Sequence, residues 1–181
     1  IVIPIRSRFQ KIIGFTARSL DDTQPKYLNS KESLLYSKRC SLFGLDVAWR
    51  GAGKDKKLYL VEGAPDCMRM HLIGMENTVA SLGSAWTDEQ FQLISRAANK
   101  ICFLPDDDPP KDGKSFGTGI ETVMKAGKSA MEHHLSVSVK EIPDDNHQGK
   151  KDPDSYYTDI DIFRNTEEVD YVLWMADKLF P

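Results

Sequence analysis

The sequence predicts an α/β fold: a parallel sheet flanked by helices, preceded by a basic, strand-rich N-terminal α+β subdomain. Three observations carry this. From residue 58 onward, short apolar runs alternate with stretches of helical periodicity, the pattern of βαβ crossovers in a parallel sheet. Before residue 54 the pattern is strand and loop. Charge divides at the same place. Residues 1–53 carry nine Lys and Arg against four Asp and Glu, a net +5; the remainder carries fifteen against twenty-three, a net -8.

IVIPIR alternates weakly, and KIIGFTARSL reads as a second strand after a turn. ESLLYS predicts a short helix. GAGKDKK (51–57) is a Gly- and Lys-rich loop and a natural boundary. LYLVEG (58–63) is a buried strand, DCMRMHLIG (66–74) a helix and NTVASLG (77–83) a second strand. Thr87 caps a helix running through Ala98, with Gln90 at the capping-box spacing. KICFLPD (100–106) is a third strand, 121–134 a helix, and LSVSVKEI (135–142) a fourth strand. A final amphipathic helix over 166–180 is capped by Thr166. The expected division is 1–53, 54–157 and a C-terminal helical segment, 158–181.

The 181 residues suit one domain or two small ones, at about 100–200 residues each. With 40% hydrophobic and 28% charged residues, composition is ordinary and argues against disorder, collagen or coiled coil. No apolar stretch approaches the ~20 residues of a membrane span. Cys40, Cys67 and Cys102 have no zinc-ligand spacing, and an odd count offers no disulfide framework; a reducing, intracellular compartment is expected. Cys102 reads as a core residue. The start, IVIPIRSR, opens in mid-strand pattern without Met, as in a piece of a longer protein. The net charge of -3 argues mildly against nucleic acid as a partner. Its two opposed halves withdraw that argument.

In a parallel sheet, functional groups collect beyond the carboxyl ends of the strands. Acids fall there three times. Glu62 ends the first strand, with Asp66 at the mouth of the next helix. Asp106, Asp107 and Asp108 end the third strand. Asp152 and Asp154 follow the fourth, with Asp144 and Asp145 nearer its end. An isolated acidic run after a strand is usually a solvated loop. Carboxylates from three strand ends repel one another unless cations sit between them. Hard oxygen ligands on loops suit Mg²⁺ or Mn²⁺ with substrate phosphates.

VEGAPD, followed about 40 residues on by a strand ending in DDD, resembles the Toprim motif: a Glu after one strand, a D-x-D after another. DnaG-type bacterial DNA primases, type IA and II topoisomerases, OLD-type nucleases and recombination proteins share that motif. Four further stretches resemble the primase branch: PIRSRFQKIIGFTARSL, PKYLNSKESLLYSKRCSLFGL (25–45), ASLGSAWT (80–87) and KDPDSY (151–156). The resemblance spans residues 1 to about 157. It implies a Toprim (Rossmann-like) fold and metal-dependent RNA primer synthesis. Glu62 is then catalytic with Mg²⁺ or Mn²⁺. Asp66, Asp106, Asp108, Asp152 and Asp154 are metal ligands or lie close behind them. Arg18, Lys26, Tyr27, Asn29 and Lys38 hold template and incoming nucleotide.

The implied partners are single-stranded DNA, nucleoside triphosphates and the RNA primer product. The full-length protein would add a zinc-binding domain and a domain that binds a replicative helicase. No membrane partner is implied, and the location is bacterial, cytoplasmic and nucleoid-associated. The alternatives are a non-catalytic single-strand-binding Toprim module and a Toprim nuclease or topoisomerase fragment. The chain departs from the family's D-G-D in its middle residue, Asp107, and in the longer loop PPKDGKSFGTG (109–119). The added charge tightens cation binding, shifts its geometry or accompanies a loss of activity.

Weaker signals are GAGK (51–54), which lacks a full phosphate-loop pattern, and His133 and His134 at a helix end. His71, Met68, Met70 and Met75 read as packing residues, and Leu173 and Trp174 as facing a core or a neighbouring domain.

Overall fold

A computed structural model describes residues 1–21, 24–51, 56–83, 85–111, 113–143 and 151–180. Asp144, Asp145 and residues 52–55 of the 51–57 loop, which hold most of GAGK, lie outside the described residues.

The N-terminal sheet has the order β1-β2-β3: Val2–Arg6, Ile12–Arg18 and Tyr27–Asn29, all antiparallel. The third strand falls within PKYLNS and was not expected. ESLLYS does not form the expected helix. The Ser33 hydroxyl accepts the N–H groups of Leu35 at 3.3 Å and Tyr36 at 3.1 Å, and Ser33 N–H donates to Tyr36 O at 2.8 Å. A local turn therefore takes the bonds a helix would need. It leaves Leu34 and Leu35 in solvent and buries Tyr36. A 3₁₀ turn, Lys38–Cys40, and an unpredicted helix α1, Leu45–Gly51, follow.

The second sheet has the order β5-β4-β6-β7-β8. β4 (Lys57–Val61), β5 (Thr78–Ala80), β6 (Lys100–Phe103) and β7 (Ser136–Val139) are parallel, as predicted. β8 (Val169–Asp170) adds an antiparallel edge. α2 (Ala64–Leu72), α3 (Asp88–Ile94) and α4 (Thr118–Glu132) form the crossovers. α5 (Pro153–Tyr156), α6 (Ile160–Asn165) and α7 (Tyr171–Leu179) close the chain. No described helix is long and apolar enough to cross a membrane.

Alternate residues of the central strands feed two cores, as expected of a sheet buried on both faces. Leu58, Leu60, Ile101, Phe103, Val137 and Val139 pack toward one cluster, with Phe91 and Trp174. Tyr59, Val61, Cys102 and Leu104 pack toward the other, where Ile5 and Tyr36 of the N-terminal part join them. Met70 is buried there, Met75 packs against it, and Leu173 faces solvent.

The capping box at Thr87 is present: its Oγ1 accepts Gln90 N–H at 3.2 Å and Gln90 Oε1 accepts Thr87 N–H at 3.1 Å. The buried Gln90 amide also donates to Ser41 O at 3.0 Å and Ser81 O at 3.3 Å, tying the N-terminal segment to the parallel sheet. The last helix starts later than expected. Asp170, not Thr166, caps it, accepting Val172 N–H at 2.9 Å. Thr166 ends α6 instead, its hydroxyl donating to Ile162 O at 2.9 Å.

Candidate functional site

The site lies at the carboxyl ends of β4 and β6, where the sheet meets β2 and β3. At the end of β4, Glu62 and Gly63 lead into α2. Asp66 sits in its first turn, and one carboxylate oxygen, Oδ2, accepts Gly63 N–H at 3.1 Å. A Cβ on Gly63 would lie 2.7 Å from that oxygen, so the cap needs glycine. The other oxygen, Oδ1, accepts Asp154 N–H at 3.1 Å. Asp152 caps α5, its Oδ1 accepting Ser155 N–H at 2.9 Å.

Beyond β6, Asp106 is buried, and Asp107 exchanges backbone hydrogen bonds with Lys151 at 2.8 and 3.2 Å. That bridge draws the DDD loop to the KDPD loop. The start of α4 presses against the same turn. A Cβ on Gly117 would stand 1.7 Å from Asp108 O, and one on Gly119 2.3 Å from Asp106 O.

A cleft of about 410 Å³ results. Glu62, Asp66, Asp106, Asp152 and Asp154 line it from the parallel sheet, and Arg18, Lys26, Tyr27, Asn29 and Lys38 from the N-terminal segment. Ten of the eleven residues singled out in the sequence thus meet in one space. Asp108 is not on its lining; its carbonyl lies against Gly117. The Arg18 guanidinium stands 5.5 Å over the Tyr27 ring, so one face of that ring is already occupied. Asn29 Nδ2 donates to Leu82 O at 3.2 Å, a bond between the two parts of the chain. Sequence reading missed buried Thr16, Leu82 and Gly83, which also line the cleft, and Arg69, which holds Asp154.

Burial, and then the charge of Asp106, push the Asp66 carboxyl up to about 7; the Asp154 and Gly63 N–H groups pull against that shift. Burial raises the Tyr27 phenol, Arg18 lowers it, and Asp66, Asp152 and Asp154 add to the rise. Burial and the neighbouring carboxylates thus disfavour the charged form of Asp66. A cation with oxygen preference would offset this. Among the described residues no three His, Cys, Asp or Glu side chains form a ready-made cage. The oxygen donors of the lining are of the kind that suits a hard divalent cation. Two histidines bond elsewhere: His71 Nε2 lies 2.9 Å from Thr78 O, and His133 pairs with Asp88 at 3.5 Å.

Sheet order and acidic strand ends define a Toprim-type domain with a basic companion. The family model described as Toprim-like matches residues 59–157, and that for the DNA primase catalytic core, N-terminal domain, matches residues 1–49. The chain belongs to the Toprim-like family, in the form taken by DnaG-type primase catalytic cores. It is 35% identical over 156 residues to a DNA primase of Clostridium acetobutylicum, covering 86% of this chain and 24% of that protein. It thus spans about a quarter of that relative. The structure of the Aquifex aeolicus primase zinc-binding and RNA polymerase domains superposes with a TM-score of 0.78 at 28% identity, over 93% of this chain and 40% of that one. A DnaG primase catalytic domain bound to single-stranded DNA gives a TM-score of 0.68 at 30% identity, over 84% and 45%.

Proposed function

We propose that this chain is the catalytic core of a primase, joining ribonucleotides on a single-stranded DNA template. One observation carries the reading: a basic wall from the N-terminal segment faces an acidic wall from the sheet across a single cleft. Residues 1–53 form the nucleic-acid-holding part, 54–157 the Toprim part, and 158–181 a helical segment that completes the sheet's cover.

The 3′-hydroxyl of one nucleotide attacks the α-phosphorus of the next. A bond forms from O3′ to phosphorus, the bond from phosphorus to the oxygen bridging the β-phosphate breaks, pyrophosphate leaves with the bonding electrons, and the hydroxyl proton passes to solvent. Glu62, Asp66, Asp106 and Asp152 would hold Mg²⁺ or Mn²⁺, which when bound neutralises phosphate charge and activates the attacking oxygen. Arg18, Lys26 and Lys38 neutralise the phosphates of template and triphosphate and release their counterions. The open face of Tyr27 offers a stacking surface, worth about 1–3 kcal/mol per base in single-strand binders. In-line orientation comes from the clamped loops around the acids. Asp108, off the lining, acts through its backbone contact with α4. The wider partners are a zinc-binding domain and a replicative helicase, in a bacterial cytoplasmic setting.

The test is incubation with single-stranded DNA, labelled ribonucleoside triphosphates and Mg²⁺ or Mn²⁺. Labelled oligomers are expected, reduced at least about 100-fold in Glu62→Gln. Shortened DNA without triphosphates would assign a nuclease instead. Salt-sensitive binding without product, in the presence of the zinc-binding domain, would assign a non-catalytic module.

A further inference from the structure

Arg69 sits on α2 three residues beyond Asp66, a spacing that shares one helix face. Its Nε donates to the Asp154 carbonyl at 3.0 Å and to Asp154 Oδ1 at 3.1 Å. Asp66 Oδ1 accepts the Asp154 N–H at 3.1 Å. The N–H, C=O and carboxylate of Asp154 are therefore all held by one face of α2. Nothing in the chemistry of the acids alone would produce this. Asp154 carries the same charge as Asp66 and Asp152 beside it, and like charges in a shared space drive one another apart.

We propose that Arg69 is a positioning residue. It fixes Asp154, and through the Asp154 N–H it fixes Asp66, so the oxygen ligands are set before a divalent cation arrives. This rests on reading the cleft as a metal site. The side chains of Arg69 and Asp154 remain 34% and 38% exposed, so their attraction adds little to fold stability. Its effect is geometric. One donor, Nε–H, is shared between the carbonyl and the carboxylate, and the planar guanidinium fixes its direction where a lysine ammonium acts as a flexible point charge.

The experiment is Mn²⁺ titration of the purified chain, with binding read by the paramagnetic signal of free Mn²⁺ and folding read by metal-free melting. Arg69→Ala is expected to weaken Mn²⁺ binding about tenfold, the lower end for groups that orient ligands, with its metal-free melting temperature nearly unchanged. Arg69→Lys recovers part of the loss. In an Asp154→Ala background the Arg69 bond to the residue-154 carbonyl remains, so removing Arg69 is expected to cost further affinity, though less than in wild type. A wild-type-like Arg69→Ala curve would overturn the clamp. Should Arg69→Ala melt early, Arg69→Gln gives the same comparison with the helix propensity kept. Wild-type protein that binds no Mn²⁺ would overturn the metal reading together with the clamp. Wild-type binding with an unaffected Arg69→Ala would overturn the clamp alone.

Discussion

Asp107 and Lys151 exchange two backbone hydrogen bonds, at 2.8 and 3.2 Å, across 44 residues of sequence. The bridge joins the loop after β6 to the loop entering α5, and so brings Asp106 and Asp152 to one cleft. It also gives a physical place to the middle acid of DDD, where the family pattern has glycine. The bond needs only peptide groups, which any non-proline residue supplies. On the proposed activity, Asp107→Asn is therefore expected to keep primer synthesis within about threefold, while Lys151→Pro, which removes a donor, lowers it at least about tenfold. Rates at saturating Mg²⁺ check both. A collapse of activity in Asp107→Asn would mean that its carboxylate takes part directly.

The loop after β6 is shaped by two glycines at the start of α4, its N-cap Gly117 and Gly119. At Gly117 and Gly119 the atoms in the way are backbone, at 1.7 and 2.3 Å, and cannot swing aside. Either change to Ala should cost at least about 1–3 kcal/mol, the usual cost of overpacking, and weaken Mn²⁺ binding as well. Gly74→Ala is the control. Its φ is +92 with open space around it, so only left-handed strain of about 1–2 kcal/mol applies, with no effect on metal. Denaturant titrations with and without Mn²⁺ separate the two classes.

The Asp66 carboxyl titrates at about 7 in the folded chain against 3.8 for the free group. Between those values the native state keeps a proton that the unfolded chain has lost. Metal-free stability should therefore fall as pH rises through that window, by up to about 1.4 kcal/mol per unit. The difference between wild type and Asp66→Asn isolates this slope from other groups. A cation must displace the same proton, so Mn²⁺ affinity should drop up to about tenfold per unit below pH 7. Parallel pH profiles for wild type and Asp66→Asn would remove Asp66 from both effects.

How much of this was legible depended on range. Glu62, Asp106 and Asp152 stood out because each follows an apolar strand pattern, and strand ends are where a parallel sheet gathers chemistry. β3 and β8 left no such mark: Tyr27–Asn29 is mostly exposed, and Val169–Asp170 is two residues held by pairing with β7. Thr166 and Asp170 are both reasonable caps for an amphipathic run, and only tertiary pairing of β8 decided between them. Arg69 had no local signal, since its partner lies 85 residues away. Asp108 matched its motif in sequence, yet α4 pressing on its carbonyl keeps it off the cleft lining.

Asp170 should carry the stability that sequence pattern assigned to Thr166. Its carboxylate accepts Val172 and Leu173 N–H groups at 2.9 and 3.4 Å, so Asp170→Ala should cost about 0.5–2 kcal/mol. Thr166→Val keeps the volume and removes a hydroxyl whose bond to Ile162 O lies within its own helix; a smaller loss is expected. Chemical denaturation ranks the pair, and the reverse order would restore Thr166 as the more important cap.

Lys38 and Gly83 make the sharpest case for a change that alters binding without altering the fold. A Cβ on Gly83 would lie 2.8 Å from both Cε and Nζ of Lys38. The obstacle is the far end of a flexible side chain, so Gly83→Ala should cost the fold under about 0.5 kcal/mol. The ammonium, however, must leave its place on the cleft wall. If Lys38 neutralises one phosphate of a single strand, its loss lowers the slope of log affinity against log salt by about 0.7. Gly83→Ala and Lys38→Ala should therefore both weaken single-stranded DNA binding and flatten its salt dependence, with near-wild-type melting. A full salt slope in both variants would take Lys38 out of the phosphate contacts and leave the basic wall to Arg18 and Lys26.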